Sequence, residues 1–187
     1  MRRIKYVLSA LLMLMFLSAG VASAVTYTDT QFQTVPGQSF NFNFDPVALS
    51  DGMAGSITIE ARGDYFGKGP DGDENLDFDI EGEFAQYNIW FGEGSPQILK
   101  WDTTTDDTHW INTWTIPGAD LAAITSDMAA LVELSLYSGV GYNPPPFGEN
   151  DYVKVTLEYN PVPIPGTLIL LGSGLIGLAG IRKKFKR

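Results

Sequence analysis

Residues 25–160 of this 187-residue sequence predict an all-β domain, built as an antiparallel β-sandwich or jelly roll. Apolar and polar residues alternate with a period of two over several short runs, as they do in half-buried strands. Gly, Pro, Asn and Asp separate these runs, and long helical periodicity is missing. About eight strands fit into the domain, which is enough for two packed sheets.

The first three predicted strands show the alternation clearly. Residues 40–44 alternate phenylalanine with asparagine, and residues 57–62 alternate apolar with polar side chains. In residues 76–82 the side chains between the apolar ones are acidic. This pattern predicts a strand with Asp77 and Asp79 on one face, together with Glu81.

Four further strands and one helix complete the predicted order. The strands are rich in β-branched and aromatic residues, which favour extended structure. They cover residues 87–91, 110–116, 131–137 and 152–159. Residues 119–130 follow Pro117 and Gly118 and space their apolar side chains at helical intervals, which predicts a short helix.

Composition and charge exclude several functional classes. The net charge is -10, but the basic residues concentrate at the two ends of the chain. Between residues 25 and 160 only four basic residues stand against all 22 acidic residues, which gives the domain a charge of -18. Nucleic acid and anionic membranes would repel such a domain. The absence of cysteine excludes disulfides, Cys-ligated zinc and thiol nucleophiles.

The N-terminal segment, residues 1–24, has the order of a secretory signal peptide. Basic residues open the chain, an apolar run covers residues 7–17, and small residues follow it. Ala22 and Ala24 are the small side chains that signal peptidase accepts, so we expect cleavage before Val25. A permanent N-terminal anchor is the alternative, but the apolar run is shorter than the roughly 20 residues of a membrane span.

The C-terminal segment, residues 161–187, joins a proline-rich stretch to an apolar stretch and a basic end. The apolar residues 167–181 predict a single transmembrane helix of about 22 Å, which is short for a hydrocarbon core of roughly 30 Å. The basic end would stop the anchor on the cytoplasmic side. Its charged residues are Arg182, Lys183, Lys184, Lys186 and Arg187. A plain tail anchor is the alternative interpretation.

This three-part order resembles the PEP-CTERM sorting signal, which exosortases of exopolysaccharide-producing bacteria recognise. The family motif is Pro-Glu-Pro; this chain has Pro163, Ile164 and Pro165, followed by Gly166, as in variants without the glutamate. The resemblance implies an exported protein processed by an exosortase-like membrane protease, of a subtype that the altered motif leaves open. The domain also looks like β-sandwich ectodomains joined to such tails, at residues 62–64, 74–76 and 80–82.

Catalytic chemistry finds little support in the sequence. The chain has one histidine, His109, so a serine–histidine–aspartate triad and a zinc hydrolase would both depend on it. Its polar neighbours favour a position in a surface loop. A glycosidase needs only two carboxylates, but acids are so abundant here that no pair stands out. We therefore assign no catalytic residue.

The acid-rich segment of residues 71–83 is a candidate calcium site, because seven of its thirteen residues are acidic. Calcium binds oxygens of carboxylates, amides and backbone carbonyls. The candidate ligands are Asp71, Asp73, Glu74, Asn75 and Asp77. The EF-hand pattern is not met, so a site here would have another geometry. A solvated acidic face that keeps a secreted protein soluble is the alternative.

Aromatic residues indicate a second kind of site. Residues 25–160 hold four tryptophans and seven tyrosines, which is many for one small domain. Such rings stack on sugars in glycan-binding sandwiches, and they also fill sandwich cores. We expect Trp90 and Trp114, which have strand-like neighbours, in the core. Trp101 lies in a polar stretch and is the better candidate for an exposed ring.

These features predict an exported surface or extracellular-matrix protein with a non-enzymatic binding or scaffolding role. Its expected partners are signal peptidase, an exosortase-like protease and exopolysaccharide, and calcium is the one expected stabilising ion. The alternative function is a secreted carbohydrate-active enzyme or lectin that uses acidic residues of the sandwich.

Overall fold

The computed structural model describes residues 23–63, 75–90, 97–102, 107–137, 140–141 and 151–163. Within these ranges the chain forms nine strands and one short helix. They are β1 (Val25–Phe32), β2 (Ser39–Phe44), β3 (Gly55–Gly63), β4 (Asn75–Ile80), β5 (Phe84–Trp90), β6 (Gln97–Asp102), β7 (Asp107–Ile116), α1 (Gly118–Ile124), β8 (Ala130–Leu136) and β9 (Tyr152–Tyr159).

The strands form two antiparallel sheets, which confirms the all-β prediction. The five-stranded sheet has the order β1-β9-β3-β7-β6, and the four-stranded sheet has the order β2-β8-β4-β5. The pairing is nested about the β4–β5 hairpin: β1 pairs with β9, β2 with β8 and β3 with β7. β6 is not part of this nested pairing, and it pairs with β7 at the sheet edge.

One apolar core lies between the two sheets. Every second residue of each central strand points into it, as the alternation predicts. Phe78 of β4 packs edge-on against Trp114 of β7, with ring centroids 5.0 Å apart, and this contact joins the sheets. Other buried residues of the core include Phe40, Phe42, Ile57, Ile59, Trp110, Val132, Leu134, Val153, Val155 and Leu157.

The chain enters and leaves the domain at one end. Val25, the first residue of β1, is opposite Tyr159, the last residue of β9. Just beyond β9, Pro161 forms an isolated bridge with Ser50. Ala24–Pro161 is a compact unit.

Most of the two terminal segments lies outside the described residues. This holds for residues 1–22 of the predicted signal peptide, for the predicted transmembrane residues 167–181 and for the basic residues 182–187. Among the helices that the structure does describe, none is both long and apolar enough to span a membrane.

The predicted helix is shorter than its apolar spacing indicated. α1 ends at Ile124, where the buried Thr125 donates its hydroxyl proton to Leu121 O at 3.0 Å and accepts the Ser50 N–H. These bonds tie the helix end to a neighbouring loop. Residue 130, predicted to be helical, instead begins β8.

The prediction that Glu81 continues the strand of Asp77 and Asp79 was wrong. β4 ends at Ile80, and Glu81 and Gly82 both have a positive φ, of 54° and 75°, in the β4–β5 turn. The Asp79 carboxylate accepts the Gly82 N–H at 2.6 Å and stabilises this turn.

Candidate functional site

The outer face of the four-stranded sheet carries aromatic and acidic side chains close together. The apolar residues of β4 are buried in the core, so the alternate residues Asn75, Asp77 and Asp79 lie on the outer face. β5 flanks β4 on one side and β8 on the other. Both neighbours contribute to the surroundings of Asp77.

A β-bulge in β5 orients the Asp77 carboxylate. Leu76 is opposite Ile89 and Phe78 is opposite Gln86, so Asp77 faces two residues of β5 instead of one. One of them, Asn88, has a φ of 55° and donates its N–H to Asp77 Oδ1 at 2.6 Å. Bulges of this kind redirect side chains beside functional sites.

Aromatic residues occupy positions next to Asp77 in the sheet. Tyr87, the other residue of the bulge, is 64% exposed. Tyr137 follows β8, is 36% exposed and donates its hydroxyl proton to Asp77 Oδ2 at 3.4 Å. Trp90 is half-buried and lies opposite Asn75 in the register. We call Asp77, Tyr87, Trp90 and Tyr137 the Asp77 surface.

The Asp77 surface combines aromatic rings with a carboxylate on one sheet. Aromatic rings offer apolar faces with little conformational freedom to lose, and a carboxylate accepts hydrogen bonds from hydroxyl groups. Each Asp77 oxygen already accepts one bond from the protein, so the carboxylate is held in place and keeps capacity for a ligand.

Asp77 and Asp79 do not have the arrangement of a glycosidase pair. The two residues follow each other along one face of one strand, whereas a glycosidase places its carboxylates on both sides of the scissile bond. Each of the two carboxylates also accepts a backbone N–H. Asp77 and Asp79 therefore lack the opposed placement that a glycosidase pair requires.

The structure describes only part of the predicted calcium site. Asp71, Asp73 and Glu74 lie outside the described residues, whereas Asn75 and Asp77 share the outer face of β4. Asn75 is buried, and its Oδ1 has no hydrogen-bond partner in the described part of the chain. No cluster of three or more potential metal ligands occurs among the residues that are described.

A second polar cluster lies on the outer face of the five-stranded sheet and is centred on Glu60 of β3. Glu60 Oε1 is 2.7 Å from His109 Nε2 and accepts the Tyr152 hydroxyl proton at 2.6 Å. Its other oxygen, Oε2, forms an ion pair with Lys154. Side chains from β7 and β9 therefore contact one buried carboxylate of β3.

These contacts shift the pKa values of Glu60 and Tyr152. Burial alone would raise the pKa of Glu60, but hydrogen bonds from Lys154, Tyr152 and His109 outweigh burial and lower the pKa to about 2. Burial, together with the bond to the Glu60 carboxylate, raises the pKa of Tyr152 to about 12. The contacts with Glu60 join β3 to its neighbours β7 and β9.

Sequence reasoning missed the Glu60 cluster. His109 was predicted in a surface loop, but it lies in β7 opposite Arg62 and contacts Glu60. Glu60 looked like one acid among many, and Tyr152 and Lys154 lie about ninety residues further along the chain. These residues take the outward positions in the apolar–polar alternation of their strands. That pattern is the sequence signal that could have identified them.

The tryptophan predictions had mixed outcomes. Trp114 packs against the core as predicted. Trp90 was expected in the core, but it is half-buried opposite the outward residue Asn75. Trp101, the predicted exposed ring, lies in β6.

Of the residues predicted for sorting and processing, the structure describes three. Ala24 and Val25 lie at the start of β1, and Pro163 lies after β9. Ala22, Ile164, Pro165 and Gly166 lie outside the described residues.

Comparison with known proteins gives distant structural likeness only. No protein-family model and no curated protein sequence matches this chain. Among solved structures, it is similar to a family GH115 4-O-methyl-alpha-glucuronidase, BtGH115A, described as specific for decorated arabinogalactans. The identity is 10% and the TM-score 0.36, over 67% of this chain and 14% of the glucuronidase.

Two viral proteins show a comparable likeness. The VP2 subviral particle of infectious bursal disease virus is 13% identical with a TM-score of 0.37, over 76% of this chain and 34% of VP2. The STIV MCP is 13% identical with a TM-score of 0.33, over 74% of this chain and 49% of that protein. This chain thus spans half or less of each of the three proteins.

Proposed function

We propose that this chain is an exported surface or extracellular-matrix protein whose β domain binds a glycan without cleaving it. The observation that carries this proposal is the Asp77 surface, where exposed Tyr87 and Tyr137 flank a carboxylate that the bulge holds in place. An exopolysaccharide is the expected ligand, because it offers repeated hydroxyl groups and apolar sugar faces to such a surface.

The charge of the domain narrows the class of glycan. With a charge of -18 between residues 25 and 160, the domain repels uronate-rich or sulfated polymers. Uncharged or amino-sugar polymers meet no such barrier. We therefore assign an uncharged or cationic polysaccharide to the Asp77 surface.

A jelly-roll architecture supports this role. We assign the domain to that class because its strands are nested about the β4–β5 hairpin and are divided between two sheets. Both ends of the chain then leave one end of the roll, since Val25 is opposite Tyr159. Before an exosortase-like protease processes it at Pro163, Ile164 and Pro165, the tail would hold the domain by that end and leave the sheet faces accessible.

Titration calorimetry with uncharged and anionic polysaccharides tests the proposal. The unmodified protein should bind the uncharged polymer, and Tyr87→Ala should weaken binding about fivefold, since a stacked ring contributes about 1 kcal/mol. Tyr137→Ala should act similarly. Thr113→Ala, which changes an exposed residue on the other sheet, is the matched control and should bind normally.

Two results would contradict the proposal. Unchanged binding in both tyrosine variants would remove the Asp77 surface from the interaction. Release of reducing sugar ends by the unmodified protein would instead favour the alternative, a secreted carbohydrate-active enzyme.

A further inference from the structure

Three loops meet at the end where the chain enters and leaves the domain. Val47 donates its N–H to Met128 O at 2.8 Å, and Ser50 donates its N–H to Thr125 Oγ1 at 3.0 Å, so the loop after β2 is tied to the loop after α1. The same loop continues to the exit strand, because Asp51 donates its N–H to Asn160 O at 3.0 Å. This end of the domain is therefore a fixed surface.

Apolar side chains project from this surface into solvent. Leu49, Met53 and Met128 are 43%, 63% and 51% exposed. We call these three residues the methionine end. The backbone bonds between these loops place the three residues at one end of the domain, and apolar side chains grouped in this way mark candidate contact surfaces.

Local bonds hold the two methionines in these positions. Asp51 Oδ1 accepts the Met53 N–H at 2.9 Å, and Asp127 Oδ1 accepts the Ala129 N–H at 3.1 Å. Met128 itself has a φ of 67°, a left-handed conformation that a long side chain seldom adopts. Such a conformation is tolerated where the surrounding structure holds it, and it is found most often at functional positions.

The position of the methionine end in the fold indicates its partner. The domain ends at Pro161, which forms a bridge with Ser50, the neighbour of Leu49. The predicted membrane stretch of residues 167–181 begins six residues later in the sequence. Six residues reach at most about 20 Å, so a tail anchored in a bilayer would keep this end of the domain near the lipid.

We propose that the methionine end rests on the lipid bilayer, with Leu49, Met53 and Met128 in the interfacial layer. The inference rests on the proposed function, in the state before processing, when the predicted transmembrane residues 167–181 still hold the chain in the bilayer. Flexible, polarisable methionine side chains suit an irregular apolar environment such as this layer. Docking would fix the tilt of the domain and direct the outer faces of its sheets away from the lipid.

Charge selects the type of lipid. Asp51 and Asp127 border the apolar side chains, and four basic residues among 22 acidic ones leave the domain at -18. An anionic leaflet would repel this surface, whereas a zwitterionic leaflet would not. A second copy of the domain would bring like charges together, which makes lipid the better occupant.

Site-specific fluorescence on the full chain tests the proposal, and the absence of native cysteine makes the labelling selective. Leu49→Cys, Met53→Cys and Met128→Cys would each carry a polarity-sensitive dye, in protein reconstituted into phosphatidylcholine vesicles. We expect a blue shift in emission at all three sites, with quenching by lipids that carry nitroxide groups. Thr113→Cys, on the outer face of the five-stranded sheet, is the matched control and should show neither effect.

Flotation of the same vesicles separates the inference from the anchoring on which it rests. Protein that floats with the vesicles but shows no shift at Met53 or Met128 would overturn the docking and leave the anchor intact. Protein that does not float would overturn both. A blue shift that appears without lipid and grows with protein concentration would assign the surface to a second copy instead. Adding phosphatidylglycerol to the vesicles should reduce the shift.

Discussion

At the scale of single residues, Glu60 links neighbouring strands on the outer face of the five-stranded sheet. Three side chains from two neighbouring strands converge on its carboxylate, and their bonds outweigh the cost of burying it. The contacts could not be predicted from the sequence, because His109 and Tyr152 are separated from Glu60 by 49 and 92 residues. Only the strand register brings them together.

Glu60 makes the stability of the domain depend on pH in acid. Its pKa is lowered from 4.5 to about 2 on folding, so its contribution is complete above pH 4.5 and is lost as the pH falls towards 2. We expect Glu60→Gln to destabilise the domain by about 1–3 kcal/mol at pH 7. The variant should also lose part of the decline in stability between pH 4.5 and 2, as measured by urea unfolding.

Glu158 is exposed, so the variant Glu158→Gln is the control for this experiment and should change the stability little. If the free energy of unfolding depends on pH equally in the Glu60 variant and in the unmodified protein, the Glu60 carboxylate does not cause the loss of stability in acid.

At the scale of elements, the sequence predicted the strands that have one buried face. The strands β2, β3, β7, β8 and β9 were predicted because each alternates apolar and polar residues across a buried face. β1 was missed because it is an edge strand whose inward side includes the polar residues Asp29 and Gln31. β6, the other edge of that sheet, was also missed. Edge strands need less apolar alternation, so the pattern that identifies strands is weakest there.

The bulge in β5 determines whether the Asp77 surface is formed. Asn88 has a φ of 55°, which asparagine and glycine tolerate but β-branched residues do not. We expect Asn88→Val to destabilise the domain by about 1–2 kcal/mol and to weaken glycan binding, because the N–H that orients Asp77 would move. Thermal unfolding and calorimetric titration would measure the two effects.

Asn88→Gly is the matched variant, since it preserves both the left-handed conformation and the N–H donor. It should fold and bind nearly as well as the unmodified protein. Equal binding by the valine and glycine variants would mean that the bulge does not position the carboxylate.

At the scale of the whole molecule, the charge can be read from the sequence, whereas the pairing of the strands cannot. The charge of -18 between residues 25 and 160 is visible in the sequence, and so is the division of the chain into a domain and two terminal segments. The nested pairing is not visible, because it joins residues as far apart as Val25 and Tyr159. A single sequence carries no record of such pairs, so the neighbour of each strand had to come from the structure.

The strongly acidic domain should respond to calcium as well as to salt. Asn75 Oδ1 is a buried acceptor with no partner among the described residues. In the sequence, Asn75 directly follows an acidic stretch that contains Asp71, Asp73 and Glu74. Calcium bound there only in the folded state would stabilise it by about 2.7 kcal/mol at a hundredfold excess over the Kd. This would raise the Tm by several degrees.

The control is magnesium at equal concentration, because screening by any salt also weakens the repulsion between acidic residues. Magnesium demands tighter octahedral geometry and should stabilise less. Asp71→Asn with Asp73→Asn should abolish the difference between the two ions, whereas Glu158→Gln should preserve it. Equal shifts of Tm by calcium and magnesium in the unmodified protein would reduce the acidic segment to a solvated face.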